Sequence, residues 1–254
     1  MNEYWTAFAP LVAIVGVATY VHTVTGFAFA LVFMSAIAVT GAMGVEEGAL
    51  IATLLALFNA VQILPSQRHF ISTTTFLKVV PLALVGTIAG ALLLPFLLAK
   101  SVVWLKFILG VAIILSSLRL LRISKNPDAQ PGRHVFPLSG LSGGIMGGLF
   151  AVPGPPIVYA LQRYLPDPRQ IRATLVAIFA VIAVARLALT RFWVLPTQSL
   201  LLSTLMLVPA TIAATEIARR WPPPLSPGAA RKLTVLLLLL TGLALVVRAI
   251  VESL

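Results

Sequence analysis

The sequence predicts an all-α polytopic membrane protein built as two four-segment repeats of inverted topology. Each repeat is expected to hold a re-entrant or broken hairpin followed by three transmembrane helices. Three observations carry this. Hydrophobic residues make up 59% of the chain and charged residues 10%, a balance that cannot supply the polar surface of a soluble domain. Apolar runs of about 20 residues, long enough to cross a bilayer, recur along the whole length. Two of those runs are interrupted, and the interruptions occupy matching places in an internal repeat.

Eight apolar segments can be drawn, at 5–40, 48–64, 76–98, 102–121, 135–162, 171–190, 197–217 and 230–250. As one helix the first would be about 54 Å long, against a hydrocarbon core of about 30 Å. Its polar interruption is His22-Thr23-Val24-Thr25-Gly26. The fifth contains Ser139 to Pro156, with six glycines and three prolines. Glycine frees the backbone for turns, and proline disrupts a continuing helix. The expected path is a helix entering the membrane, a turn near Gly147–Gly154, and a second helix starting at Pro155–Pro156, where proline suits the first turn. In lipid, such a break is tolerated only against protein or a cavity.

The repeat has an offset of 121 residues. Gly26-Phe27-Ala28-Phe29-Ala30 lies over Gly147-Gly148-Leu149-Phe150-Ala151 with three identities. At the same offset Ala52-Thr53-Leu54-Leu55-Ala56-Leu57-Phe58 lies over Ala173-Thr174-Leu175-Val176-Ala177-Ile178-Phe179 with five. The chain therefore divides into a first repeat at 1–123, a polar cytoplasmic linker at 124–134 and a second repeat at 135–254, within one integral membrane domain.

The net charge of +11 is distributed over short loops, as membrane topology demands, and implies no nucleic-acid partner. If each segment crosses once, the 18 basic residues divide evenly between the two faces. If 5–40 and 135–162 each turn back, all but five of them share one face, the exceptions being Lys100, Lys106, Arg186, Arg191 and Arg248. The hairpin arrangement thus restores a positive-inside bias. It places Glu46 and Glu47 outside, and it brings two hairpins in from opposite sides so that their tips meet near mid-membrane. The first residues lack the basic n-region of a signal peptide, so the first apolar run is expected to be kept. A multi-pass protein of a bacterial-type cytoplasmic (inner) membrane is expected, in contact with the lipid bilayer.

The hairpin tips are the leading candidate site. Helix N-termini present free N–H donors and favour anions. The candidate substrate-binding residues are Thr23, Thr25, Gly26, Gly147, Gly148, Pro153, Gly154 and Pro155, with the repeat-related Thr53 and Thr174. The competing reading of the small residues is close helix packing. His22 is a candidate for proton coupling, or else a neutral histidine bonded to a nearby backbone group. Arg186 is expected to snorkel to the headgroups, with anion attraction as the alternative. There are no cysteines, which excludes thiolate metal sites, and no His/Glu metal cluster, nucleophile elbow or P-loop is present. No catalytic residue, metal or cofactor is expected.

Thr25-Gly26-Phe27-Ala28-Phe29 followed by an apolar run resembles the first-half motif of the TauE/SafE-type sulfite exporter family. Gly143-Gly144-Ile145-Met146-Gly147-Gly148-Leu149-Phe150-Ala151-Val152-Pro153-Gly154-Pro155-Pro156 resembles its glycine-rich second motif, and Arg172-Ala173-Thr174 its following helix start. The resemblance covers nearly the whole chain. It implies a permease for a small sulfur-containing oxyanion such as sulfite or an organosulfonate. The expected function is secondary transport, as an exporter, of an anion bound between facing tips. The alternatives are a channel-like anion facilitator and, in a different class, an intramembrane enzyme or scaffold.

Overall fold

The computed structural model describes residues 2–41, 43–121, 132–190 and 198–221, and part of 232–251. Most of the 124–134 linker lies outside the described residues. The described elements are α1 (Asn2–Thr25), α2 (Phe29–Thr40), α3 (Val45–Gln67), a 3-10 turn (Arg68–Phe70), α4 (Thr73–Lys100), α5 (Val102–Leu121), α6 (Val135–Phe150), α7 (Gly154–Tyr164), α8 (Pro168–Thr190) and α9 (Gln198–Arg220). Further helical positions lie within 232–251. Four stretches are long and apolar enough to cross a membrane, Glu46–Phe70, Thr73–Leu97, Pro168–Leu189 and Leu200–Arg220. The chain is a multi-pass helical membrane protein.

Both anomalous segments break where the sequence predicts. In the first, Gly26 takes φ 85°, a left-handed conformation natural to glycine, and its N–H donates to the His22 carbonyl at 2.6 Å. A side chain at Gly26 would also strike the Arg172 stem, whose Cγ lies 2.9 Å from the Cβ position. In the second, Ala151 at φ 58° closes α6, its N–H donating to the Gly147 carbonyl at 3.0 Å. An alanine in this left-handed position carries a penalty of about 1–2 kcal/mol that glycine would not. Helix α7 then starts at Gly154 with Pro155 in its first turn.

The core lies at these breaks. Phe29, Leu31, Phe33, Met34 and Ile37 of α2 are almost completely buried, as are Phe150 and Ile157 beside the second break. A 12-residue helix, mostly buried from Phe29 to Ile37, is a packing element inside the bundle and too short to be a membrane span.

The glycine-rich helix α6 packs most closely on α4. A Cβ added at Gly140, Gly144 or Gly148 would collide with the backbone carbonyls of Val79, Ala83 and Thr87 respectively. In return, a Cβ at Gly86 or Gly90 would collide with the carbonyls of Leu141 and Ile145. These contacts advance in the same direction along both helices, so α4 and α6 run parallel with their backbones touching. Small residues four apart give membrane helices this close approach, with weak Cα–H···O contacts added.

Cross-helix hydrogen bonds gather one end of the molecule. Tyr20 Oη donates to the Trp221 carbonyl, Arg219 Nη2 to the Gln62 carbonyl and Arg172 Nη2 to the Val24 carbonyl. The Ser72 N–H donates to Thr174 Oγ1 at 2.9 Å. The C-terminal ends of α1, α3 and α9 therefore meet the N-terminal ends of α4 and α8. Since α6 runs parallel to α4, it begins there too, and α7 returns there before α8. Arg68, Lys78, Arg133, Arg163, Arg169, Arg172, Arg219 and Arg220 belong to this basic end, while Glu46 and Glu47 stand at the opposite end of α3.

The two breaks come together. The Cβ position of Gly154, at the second, lies 3.7 and 3.8 Å from side-chain carbons of Phe27 and Leu31, at the first. The first break also lies beside Arg172, toward the basic end. The α6–α7 break starts from that same end and reaches about 24 Å inward over the 16 residues of α6.

Candidate functional site

Between the two breaks, α3 and α8 close a cavity of about 40 Å³. One probe-sized water needs roughly 10–15 Å³ on this measure, so the space matches a cluster of about three waters or a compact anion. Its wall is mostly apolar, with Phe27, Phe29 and Ala30 from the first break facing Gly147, Ala151 and Pro153 from the second. The polar side chains on the wall are His22, Thr53 and Arg186.

Arg186 is 2% exposed. Its Nε–H donates to the Gly148 carbonyl at 3.2 Å, and Nη1 donates to the Ala49 carbonyl at 3.2 Å and to Thr53 Oγ1 at 3.0 Å. The first of these acceptors is one of the last-turn carbonyls of α6, left without an intrahelical partner. A guanidinium carries five donor hydrogens, and the pair on Nη2 has no acceptor among the described residues. No carboxylate forms an ion pair with it among the described residues; Glu46, exposed at the head of α3, acts on it only through space. The snorkelling expectation is thereby overturned. The side chain turns inward because three acceptors from α3 and α6 surround it, and the α4–α6 contact fixes the carbonyl that orients it.

Thr53 donates its hydroxyl to the Ala49 carbonyl at 2.6 Å and accepts from Arg186. Its donor is thus engaged, and it orients the guanidinium. His22 is 4% exposed, stands edge-on to Phe29 and accepts the Phe29 N–H at Nδ1, 3.4 Å away. With Nδ1 as acceptor, the neutral ring carries its hydrogen on Nε2. His22 lies one turn before Gly26, which rests on Arg172. Arg186 is 14 positions beyond Arg172 along α8, about 21 Å by helical rise, and it and His22 both lie on the wall of the one cavity.

Of the other residues singled out in the sequence, Gly147 and Pro153 line the cavity, and Thr23, Thr25, Gly26, Gly148, Gly154, Pro155 and Thr174 do not. Thr23 and Thr25 donate to carbonyls of their own helix, at Thr19 and Val21, the usual behaviour of intramembrane threonines. Thr174 accepts the Ser72 N–H at the basic end. Gly148 packs against α4 and Gly26 under Arg172. At the α7 N-terminus, Pro155 and Pro156 supply no N–H, so that helix start is a poor donor cradle. Sequence reading missed Asn59, a carboxamide in the apolar helix α3 whose amide atoms are buried and unpaired.

Membrane-crossing helices closed around a buried guanidinium with donors to offer define a multi-pass transporter by class. The chain matches the family Sulfite exporter TauE/SafE over residues 11–245. It is 29% identical over 241 residues to the probable sulfite/organosulfonate exporter TauE of Cupriavidus necator, with 94% of each chain covered. No solved structure matches. The chain therefore belongs to the TauE/SafE sulfite exporter family, a family of membrane transporters and not of enzymes.

Proposed function

We propose that this protein is a secondary transporter that exports a small sulfur oxyanion, sulfite or a short organosulfonate, across a bacterial-type inner membrane. The observation that carries the reading is the buried Arg186, whose Nη2 hydrogens have no acceptor among the described residues at a cavity of anion size. A planar fork of donors suits an oxyanion. In this reading Thr53 and the Gly148 carbonyl orient the guanidinium, Gly147 and Pro153 shape the wall, and His22 offers a neutral Nε2–H from the same wall. Protonating His22 at Nδ1 would set two N–H groups against each other at Phe29, so His22 serves as a donor and not as the coupling proton carrier.

Inverted repeats are the proposed scaffold. The contacts between halves come in related pairs at the sequence offset: α4 packs on α6 and α8, and α9 packs on α1 and α3. With the basic end cytoplasmic, Glu47 faces the periplasm, while Arg68 and His134 face the cytoplasm. The chain has no native cysteine, so single cysteines at these three exposed positions can be probed cleanly. An impermeant thiol reagent applied to intact cells is expected to label position 47 alone. Equal labelling at 47 and 134 would refute the arrangement.

Transport itself is tested with purified protein in liposomes loaded with sulfite. Efflux is expected to exceed that of protein-free vesicles and to be inhibited by sulfoacetate. With sulfoacetate as substrate, the rate at clamped membrane potential is expected to vary little between pH 6 and 8, because no titrating group enters the proposed binding step. Vesicles that release neither sulfite nor sulfonates under any gradient would refute the function. Equilibration without uphill movement under any ion gradient identifies a facilitator instead.

A further inference from the structure

Asn59 stands on α3 between Ala56 and Ala60, both of which line the cavity. It is 0% exposed, yet neither its amide nitrogen nor its carbonyl oxygen has a hydrogen-bond partner. Gln62, one turn closer to the basic end, also has an unpaired buried amide nitrogen. Its backbone carbonyl accepts from Arg219 at 3.4 Å. A buried polar group without a partner costs about 1–3 kcal/mol, and native interiors rarely keep one unless water or a ligand reaches it. A leucine would fill either position without that penalty. Two such groups at i and i+3, neighbours on one helix, point to traffic.

The surroundings give that traffic a direction. On the α8 side, Ala60 and Ile63 pack with Val176 and Ala180 in an apolar cluster, so the α3–α8 seam at the cavity wall is hydrocarbon. The α3–α9 seam differs. It is crossed by a polar bond, from Arg219 to the Gln62 carbonyl, and α9, which packs on both α1 and α3, carries the buried Thr211 and Thr215, whose hydroxyls donate to the Leu207 and Thr211 carbonyls. The seam ends at the exposed Arg219 and Arg220.

We propose that Asn59 and Gln62 form a hydrated access lane along the α3–α9 seam, by which the anion passes between the basic end and the cavity. The proposal rests on the export reading above. Each carboxamide presents two N–H donors without a fixed charge. It can thus replace part of the anion's hydration shell while holding it weakly enough to release, the balance that conduction requires. A cation there would trap the anion and a carboxylate would repel it.

The test compares wild type, Asn59→Leu and Asn59→Asp, by sulfite flux in liposomes and by sulfoacetate affinity of the purified protein in detergent. Asn59→Leu is expected to slow flux about ten-fold, the equivalent of losing one charge-assisted donor. Its sulfoacetate affinity should stay within about two-fold of wild type, and its thermal midpoint should be unchanged or raised. Asn59→Asp should be slower still. Wild-type flux in Asn59→Leu overturns the lane. So does a parallel loss of flux, affinity and midpoint, which would mark Asn59 as structural. If Asn59→Leu does not accumulate, Gln62→Leu, at a less buried position, carries the same comparison. A wild-type protein that neither binds nor moves anions indicts the export reading, whereas normal flux in both variants indicts only the lane.

Discussion

Arg186→Gln is expected to weaken sulfite and sulfonate binding by about 100-fold while leaving the protein folded, a loss of about 2–3 kcal/mol. The guanidinium supplies both the local positive charge and the free Nη2 donors, whereas glutamine has no charge and a single NH2 group on a shorter stem. The fold should tolerate the change, because an unpaired buried cation is itself expensive in a low dielectric. Removing it offsets the loss of the bonds to Gly148, Ala49 and Thr53. Arg186→Lys keeps the charge but offers three donors instead of five. It is expected to retain part of the affinity, about ten-fold below wild type. Ligand-induced stabilisation is a direct readout, since binding to the folded state stabilises it by RT ln(1 + L/Kd), L being the free ligand concentration. Sulfite at a few times the wild-type Kd should raise the wild-type midpoint and barely move that of Arg186→Gln. Affinity of Arg186→Gln within three-fold of wild type would remove the guanidinium from the site.

The same residue shows where sequence reasoning reaches and where it stops. Composition and run length were enough for a multi-pass helical bundle, because backbone satisfaction in lipid leaves few other options. The two breaks were legible because Gly26 and the Gly154-Pro155-Pro156 run are punctuation that acts locally. What the sequence could not display was direction. Arg186 sits near a helix end, where snorkelling is the usual outcome, and only the acceptors at Ala49, Thr53 and Gly148, 137, 133 and 38 positions away, turn it inward. The position of the second turn within its motif was hidden for a related reason. The repeat aligns Gly26 with Gly147, but the second turn occurs at Ala151, one helical turn later. The glycines between had to continue as helix so that α6 could lie on α4, a demand made by residues 79–90 rather than by the motif itself.

That demand leads to the second large effect. Gly144→Val is expected to destabilise the protein by about 3 kcal/mol or more, at the upper end of what overpacking costs. A Cβ at Gly144 meets the Ala83 carbonyl, with Ala83 carbonyl carbon and Cα at 2.9 and 3.0 Å. These are backbone atoms inside a helix, so no rotamer change relieves the collision and α6 must move off α4 as a body. Two substitutions separate this from any general intolerance of glycine replacement. At Gly16 nothing lies within 4 Å of the Cβ position, so Gly16→Ala should be neutral or stabilising by about 0.5–1 kcal/mol through helix propensity. At Gly154 the nearest atoms are side-chain carbons of Phe27, Leu31 and Phe179 at 3.7–3.9 Å, ordinary contact, so Gly154→Ala should fold and transport. Thermal unfolding in one detergent orders the three variants. The displaced α6 should also carry the Gly148 carbonyl away from Arg186, so any folded Gly144→Val should bind sulfite more weakly than wild type. A Gly144→Val protein with wild-type midpoint and affinity would mean that α4 and α6 are not in backbone contact. In that case the glycines of this motif would have to be explained by the ligand after all.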